Sequence, residues 1–195
     1  MAIDKDKTKG KEDRKLAVLF PGIGYSFDRP LLHFGEKQAQ QYGYEILRVA
    51  YSGFPGKIRG NKERMRESYD IAMKQTEEIL GGVQWAYYSR ILFISKSIGT
   101  VVAAHYAAEH EIAVDHIFFT PFPETFAARQ QGRCVAFHAR TDPWMDDAET
   151  VRAAEHAGAE MICYPEGNHS LETGDVLRDI RTLEEIFQRT ADFMR

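Results

Sequence analysis

Arg90-Ile91-Leu92-Phe93-Ile94-Ser95-Lys96-Ser97-Ile98-Gly99-Thr100-Val101-Val102-Ala103-Ala104 runs from an apolar stretch of strand character straight into one of helical character. At the junction stand a small residue, a variable one, a serine, a variable one and a glycine: Ser95, Lys96, Ser97, Ile98 and Gly99. A strand that turns this sharply into a helix brings its flanks together, so the residues two before and two after the turn must be small. The turn residue is held in a strained backbone conformation with its side chain exposed. Serine in that place is what a nucleophile elbow requires. Ser97 is therefore the first candidate for chemistry.

Outward from this junction, short apolar runs alternate with longer amphipathic ones. Strands are predicted at 16–20, 45–49, 91–94, 116–119, 134–138 and 160–163, and helices at 29–42, 62–80, 98–109, 146–157 and 175–194. Gly43, Gly81, Gly82 and Gly158 fall where helices should stop. Strands that are apolar on both faces and separated by helices indicate a parallel sheet covered on both sides. The expectation is an α/β fold, a three-layer α/β/α sandwich around a mostly parallel sheet of about six strands. A single domain over 16–195 follows a charged lead-in, 1–15, expected to be disordered. Ligands in such sheets bind outside the carboxyl ends of the strands. That rule selects the segments 21–28, 50–61, 95–99, 120–133, 139–145 and 164–173.

Bulk properties exclude several classes. The chain has 195 residues and a net charge of −4, which does not suggest a nucleic-acid binder. No apolar run approaches the ~20 residues of a membrane span, and 1–15 has no apolar core of a secretory signal. Cys134 opens one predicted strand and Cys163 closes the next, so in a parallel sheet they lie too far apart for a disulfide. Two unpaired thiols fit a reducing cytoplasm. Neither cysteine shows metal-ligand spacing, and no metal or organic cofactor is expected. No coiled-coil stripe or interface segment stands out, which leaves the oligomeric state unread.

A serine hydroxyl needs a base to take its proton, and the base needs an acid to orient it. His169, in Pro165-Glu166-Gly167-Asn168-His169, follows the last predicted strand, at the same sheet edge as Ser97. Asp142, in Arg140-Thr141-Asp142-Pro143-Trp144, follows the preceding strand. The purely local alternatives are a helix cap for Ser97, an Asp-Pro turn for Asp142, and a loop histidine bonded to Asn168 or Glu172 for His169. Asp146 and Asp147 are substitutes for Asp142 if the loop runs longer, and His138 is the rival base.

With Ser97, Asp142 and His169 in that chain order, the sequence over about 16–194 resembles a compact α/β-hydrolase, similar in layout to small serine esterases and dienelactone-hydrolase-like proteins. Two departures stand out. Ser95 replaces the usual glycine of the elbow, and a serine stands where dienelactone hydrolases proper carry cysteine. The resemblance implies an oxyanion hole built from the backbone N–H of Ile98 and one from the loop after the first strand. There Pro21-Gly22-Ile23 stands in for the superfamily's His-Gly-X and nominates Ile23. It also implies no cap domain, since the segment 120–132, where relatives insert one, is short.

Among the aromatic residues of these loops, Tyr25, Phe54, Phe122 and Trp144 are candidate pocket residues, with Phe126 beside them. Lys57, Arg59, Lys62, Arg64 and Arg66 read as a solvated helix face or as recognition of an acidic substrate. Gly22-Ile23-Gly24 lacks the third glycine of a dinucleotide loop, so that reading is rejected. The expected activity is hydrolysis of a small carboxylic ester or thioester through an acyl-enzyme. The alternative is a non-catalytic binding or interaction protein on the same fold.

Overall fold

The computed structural model describes residues 14–195. The lead-in expected over 1–15 thus falls almost wholly outside the described residues, and Lys15 already opens the first strand. Six strands follow: β1 (Lys15–Phe20), β2 (Tyr44–Arg48), β3 (Arg90–Lys96), β4 (Asp115–Phe119), β5 (Cys134–Ala139) and β6 (Glu160–Tyr164). Five helices intervene: α1 (Pro30–Gln41), α2 (Lys62–Leu80), α3 (Ile98–Glu109), α4 (Asp147–His156) and α5 (Val176–Met194). Two single 3-10 turns, Trp85–Tyr87 and Pro123–Ala127, have no counterpart in the sequence reading.

All strand pairs are parallel, and their order is β2-β1-β3-β4-β5-β6. Side chains alternate across the sheet. Ala17, Leu19, Leu92, Ile94, Ile117, Phe119, Val135 and Phe137 share a core with Leu31 and Leu32 of α1 and Ile186 of α5. Leu16, Val18, Phe20 and Phe93 face the other way, against Ala72 and Leu80 of α2 and Val102 and Tyr106 of α3. Phe118 and Ala136 pack on that side against Ala104 of α3 and Ala154 of α4. The result is the three-layer sandwich that the apolar strands predict. Among the described residues the connection from β4 to β5 holds one short 3-10 segment and no cap domain.

Helix starts follow from local chemistry. Asn61, Asp146 and Asp175 cap α2, α4 and α5, each accepting hydrogen bonds from backbone N–H groups of the first turn. The expected helices at 146 and 175 therefore begin one residue later, with the aspartate as the cap. β3 departs further from expectation. It continues two residues past Ile94, because Ser95 and Lys96 keep their register with Phe118 and Phe119 of β4. Ser97 is thus the first residue outside the strand. None of the helices among the described residues is long and apolar enough to cross a membrane.

The sheet order places the site. The chain moves from β1 outward to β2, then returns to pair β3 on the other side of β1. The carboxyl ends of β1 and β3 therefore flank a point where connections diverge, which is where open α/β sheets leave a crevice.

Candidate active site

Ser97 stands at the carboxyl end of β3 in a left-handed conformation, φ 57° and ψ −128°. A non-glycine residue takes such a conformation only when its surroundings impose it. Here they do. Ser97 N–H donates to the Phe119 carbonyl at 3.0 Å, and its own carbonyl accepts from the N–H and hydroxyl of Thr100. Between those ties α3 begins at Ile98 without a side-chain cap, so the hydroxyl of Ser97 is not spent on the helix. The helix-cap alternative fails for this residue.

The tightness of the elbow falls on Gly99. A Cβ there would lie 2.6 Å from both the Phe20 and the Pro21 carbonyl oxygens. Those are backbone atoms and cannot swing aside. Alanine's helix propensity offers ~1 kcal/mol in its favour, while overpacking against fixed backbone costs about 3 kcal/mol. The clash wins. Gly99→Ala is expected to lower the urea-unfolding free energy by about 2 kcal/mol net and to displace Ser97 with it.

The Ser97 hydroxyl lies 2.7 Å from His169 Nε2, and His169 Nδ1 lies 2.7 Å from Asp142 Oδ2. The acid can only accept, so Nδ1 carries the hydrogen and Nε2 is left to accept from Ser97. Three loops after three different strands meet to make this relay. Asp142 is buried, 4% exposed, and its second oxygen Oδ1 accepts the Trp144 N–H at 3.0 Å. It is both the turn residue of Asp-Pro and the partner of His169. Asn168 shapes the other loop by accepting the N–H groups of Ser170 and Glu172.

Burial lowers the pKa of His169 from its ordinary value, against the raising effect of its hydrogen bond to Asp142, and the nearby Lys96 charge lowers it further. A lower pKa keeps the imidazole neutral, and so able to accept a proton, into mildly acidic solution.

The rival assignments go elsewhere. His138 Nε2 pairs with Asp147 Oδ1 at 3.0 Å, and Asp147 in turn with Arg140, also at 3.0 Å. Asp146 is spent on capping α4.

Of the two nominated N–H groups, that of Ile98 opens α3, where the first amides have no carbonyl within the helix to meet. Ile23 lies in the turn closed by the bridge between Gly22 and Tyr25. A Cβ at Gly22 would stand 3.1 Å from Ser97 Cβ, so this turn passes directly against the elbow.

The aromatic candidates divide. Trp144, 36% exposed, stacks on His169 with ring centroids 5.2 Å apart, and Phe122 lies 5.7 Å from the same imidazole. Tyr25 is instead buried beneath the Gly22–Tyr25 turn, its hydroxyl accepting the Leu31 N–H at 3.1 Å. Phe54 packs on Tyr51 at the edge of the α2 core, and Phe126 sits in the α4 core against Phe118. The basic cluster divides too. Arg66 pairs with Asp70 along the helix face and Arg64 donates to the Gly56 carbonyl. Arg59 reaches the site, donating to the Pro143 carbonyl at 3.1 Å with its guanidinium 5.7 Å from the Trp144 ring centroid.

Several residues with a part in this geometry escaped the sequence reading. Thr141 Oγ1 both accepts from the Gly167 N–H and donates to its carbonyl, tying the Asp142 loop to the His169 loop. Thr120, at φ 47°, donates its hydroxyl to the His169 carbonyl at 3.3 Å. Lys96, next to Ser97 in the chain, is buried. A threonine within two residues of a strand's end is the faint signal available for the first two.

No family model matches this chain, and no curated protein matches it in sequence. Solved structures do match it. An esterase from Pyrococcus furiosus superposes with a TM-score of 0.64 at 12% identity, over 94% of this chain and 82% of that one. An alpha-beta serine hydrolase homologue from Coxiella burnetii gives 0.59 at 14%, over 93% and 87%. A lidless a/b serine hydrolase from Xanthomonas campestris gives 0.58 at 13%, over 90% and 81%. At these identities the likeness is one of architecture, and it agrees with the sheet order, the layers and the short connection from β4 to β5: the chain has the fold of the α/β-hydrolase superfamily, in its form without a cap domain.

Proposed function

We propose that this protein is a serine hydrolase that cleaves small carboxylic esters or thioesters through an acyl-enzyme. The observation that carries this reading is the unbroken relay from Ser97 Oγ through His169 to Asp142, with both links at 2.7 Å and Ser97 held at positive φ. A binding protein needs none of those three features together.

In this reading Ser97 Oγ attacks the carbonyl carbon as its proton passes to His169 Nε2. The carbonyl oxygen takes up negative charge between the N–H groups of Ile23 and Ile98. The bond to the leaving group then breaks, and the proton on Nε2 goes to the departing oxygen or sulfur. Water enters, gives a proton to Nε2 and its oxygen to the acyl carbon, and the acid leaves as Ser97 recovers its proton. Asp142 holds the imidazole in the required tautomer and stabilises the imidazolium. Trp144 and Phe122 form apolar walls beside His169, and Arg59 braces Trp144 from outside. The unpaired Cys134 and Cys163 support a reducing, cytoplasmic setting.

The test is hydrolysis of p-nitrophenyl acetate followed against pH, with a panel of short-chain thioesters alongside. Because burial lowers the His169 pKa from 6.5, kcat/KM is expected to fall on the acid side with a midpoint below that value. Sign and cause agree: protonation removes the base, and a depressed pKa postpones it to lower pH. A folded protein that binds such esters without turning them over contradicts the reading.

A further inference from the structure

Lys96 stands in a place where the fold asks for an apolar residue. It continues the β3 face of Leu92 and Ile94, which packs into the α1–α5 core, and it is only 2% exposed. Its stem lies under the turn that carries Ile23: a Cβ on Gly22 would be 3.1 Å from Lys96 Cδ. Its Nζ sits over the Tyr25 ring, 5.0 Å from the centroid. Among the described residues no carboxylate is within ion-pair distance of it, although Asp142 and Glu172 attract it from further off. An ammonium buried with so little compensation costs stability that a leucine or methionine would not. Packing alone gives no reason for a lysine here.

We infer that Lys96 is a positioning residue for the Ser97 centre: its charge, held beneath the Gly22–Tyr25 turn, favours the oxyanion and keeps His169 in its neutral, proton-accepting form. This rests on the hydrolase reading above. The groups facing it come from every neighbouring segment: Tyr25, with Arg29 beyond it, after β1; Ser97 after β3; Asp142 after β5; and His169 and Glu172 after β6. Tyr25 is neutral throughout, since burial pushes its pKa up to about 12. Burial brings Lys96 down to about 7, with Asp142 and Glu172 opposing. Lys96 is therefore charged over the range in which His169 titrates, and loses its charge above neutrality.

Signed effects follow for the wild type and for the neutral variant. In the wild type, reaction at Ser97 should decline above about pH 7, as Lys96 deprotonates. In Lys96→Met the reaction should be about tenfold slower at its best pH, since a charge one layer behind the oxyanion contributes less than a direct donor. Its acid limb should move to higher pH, because burial still depresses His169 but the added effect of the Lys96 charge is gone, and its alkaline decline should vanish. Lys96→Met should also unfold at higher temperature, which a lysine kept for structure would not show.

The experiment is the second-order rate of phosphonylation by a fluorophosphonate as a function of pH, on the wild type and on Lys96→Met and Lys96→Gln. A displaced acid limb with a lost alkaline decline in a folded neutral variant supports the inference. Superimposable profiles overturn it while leaving the hydrolase reading intact. No adduct on the wild type overturns that reading and the inference with it. If neither variant folds, the wild-type profile decides: a fall above about pH 7 supports the role, and a flat alkaline plateau overturns it.

Discussion

Ser97→Ala is expected to abolish ester turnover, lowering kcat by roughly 10⁵- to 10⁶-fold, the scale reached when a serine nucleophile is removed from such a relay. The fold should be unaffected. Alanine carries the same left-handed penalty as serine at φ 57°, and the ties that impose this conformation are backbone bonds to Phe119 and Thr100. The change removes one hydroxyl and leaves His169 Nε2 without its donor. That loss costs about 1 kcal/mol, small beside the effect on rate. Unfolding midpoint and kcat, measured on the same preparation, separate the two quantities. A variant that stays folded and keeps even a hundredth of the turnover removes Ser97 from the reaction.

Asp142→Asn should lower kcat by about 10⁴-fold while KM changes little. The amide can still accept the Trp144 N–H through its oxygen, so the Asp-Pro turn survives. What it presents to His169 Nδ1 is an NH₂ group. The imidazole then places its hydrogen on Nε2, which donates to Ser97 Oγ and can no longer accept the hydroxyl proton. Asparagine also removes the charge that stabilises the imidazolium. If Asp142 were only a turn residue, the substitution would leave kcat within a few fold. Steady-state kinetics with p-nitrophenyl acetate, together with near-UV circular dichroism to verify the fold, distinguishes the two cases.

The architecture was readable because its signals are local. Each strand is a short apolar run between polar segments, and three helix starts carry their own cap in Asn61, Asp146 and Asp175. The elbow was readable for the same reason, since the Ser95 to Gly99 spacing is a steric demand of one turn. Ser97, Asp142 and His169 could be nominated together because the sheet brings loops after parallel strands to one edge. What escaped depends on which way a side chain points once strands pair. Lys96 looked like the free position of a motif until two further residues of β3 pairing turned it into the core. Tyr25 and Phe54 lie in the right segments but face inward, and no local pattern distinguishes them from Phe122 and Trp144. Arg59 meets Pro143 across 84 residues of chain. Contacts at that separation appear only when the whole sheet is assembled.

The most direct test of the account is intact-mass analysis of the folded protein after treatment with a fluorophosphonate, followed by peptide mapping. The account predicts a single adduct on Ser97, absent from Ser97→Ala and formed far more slowly in His169→Ala. An unmodified wild type, or an adduct that survives Ser97→Ala, contradicts it.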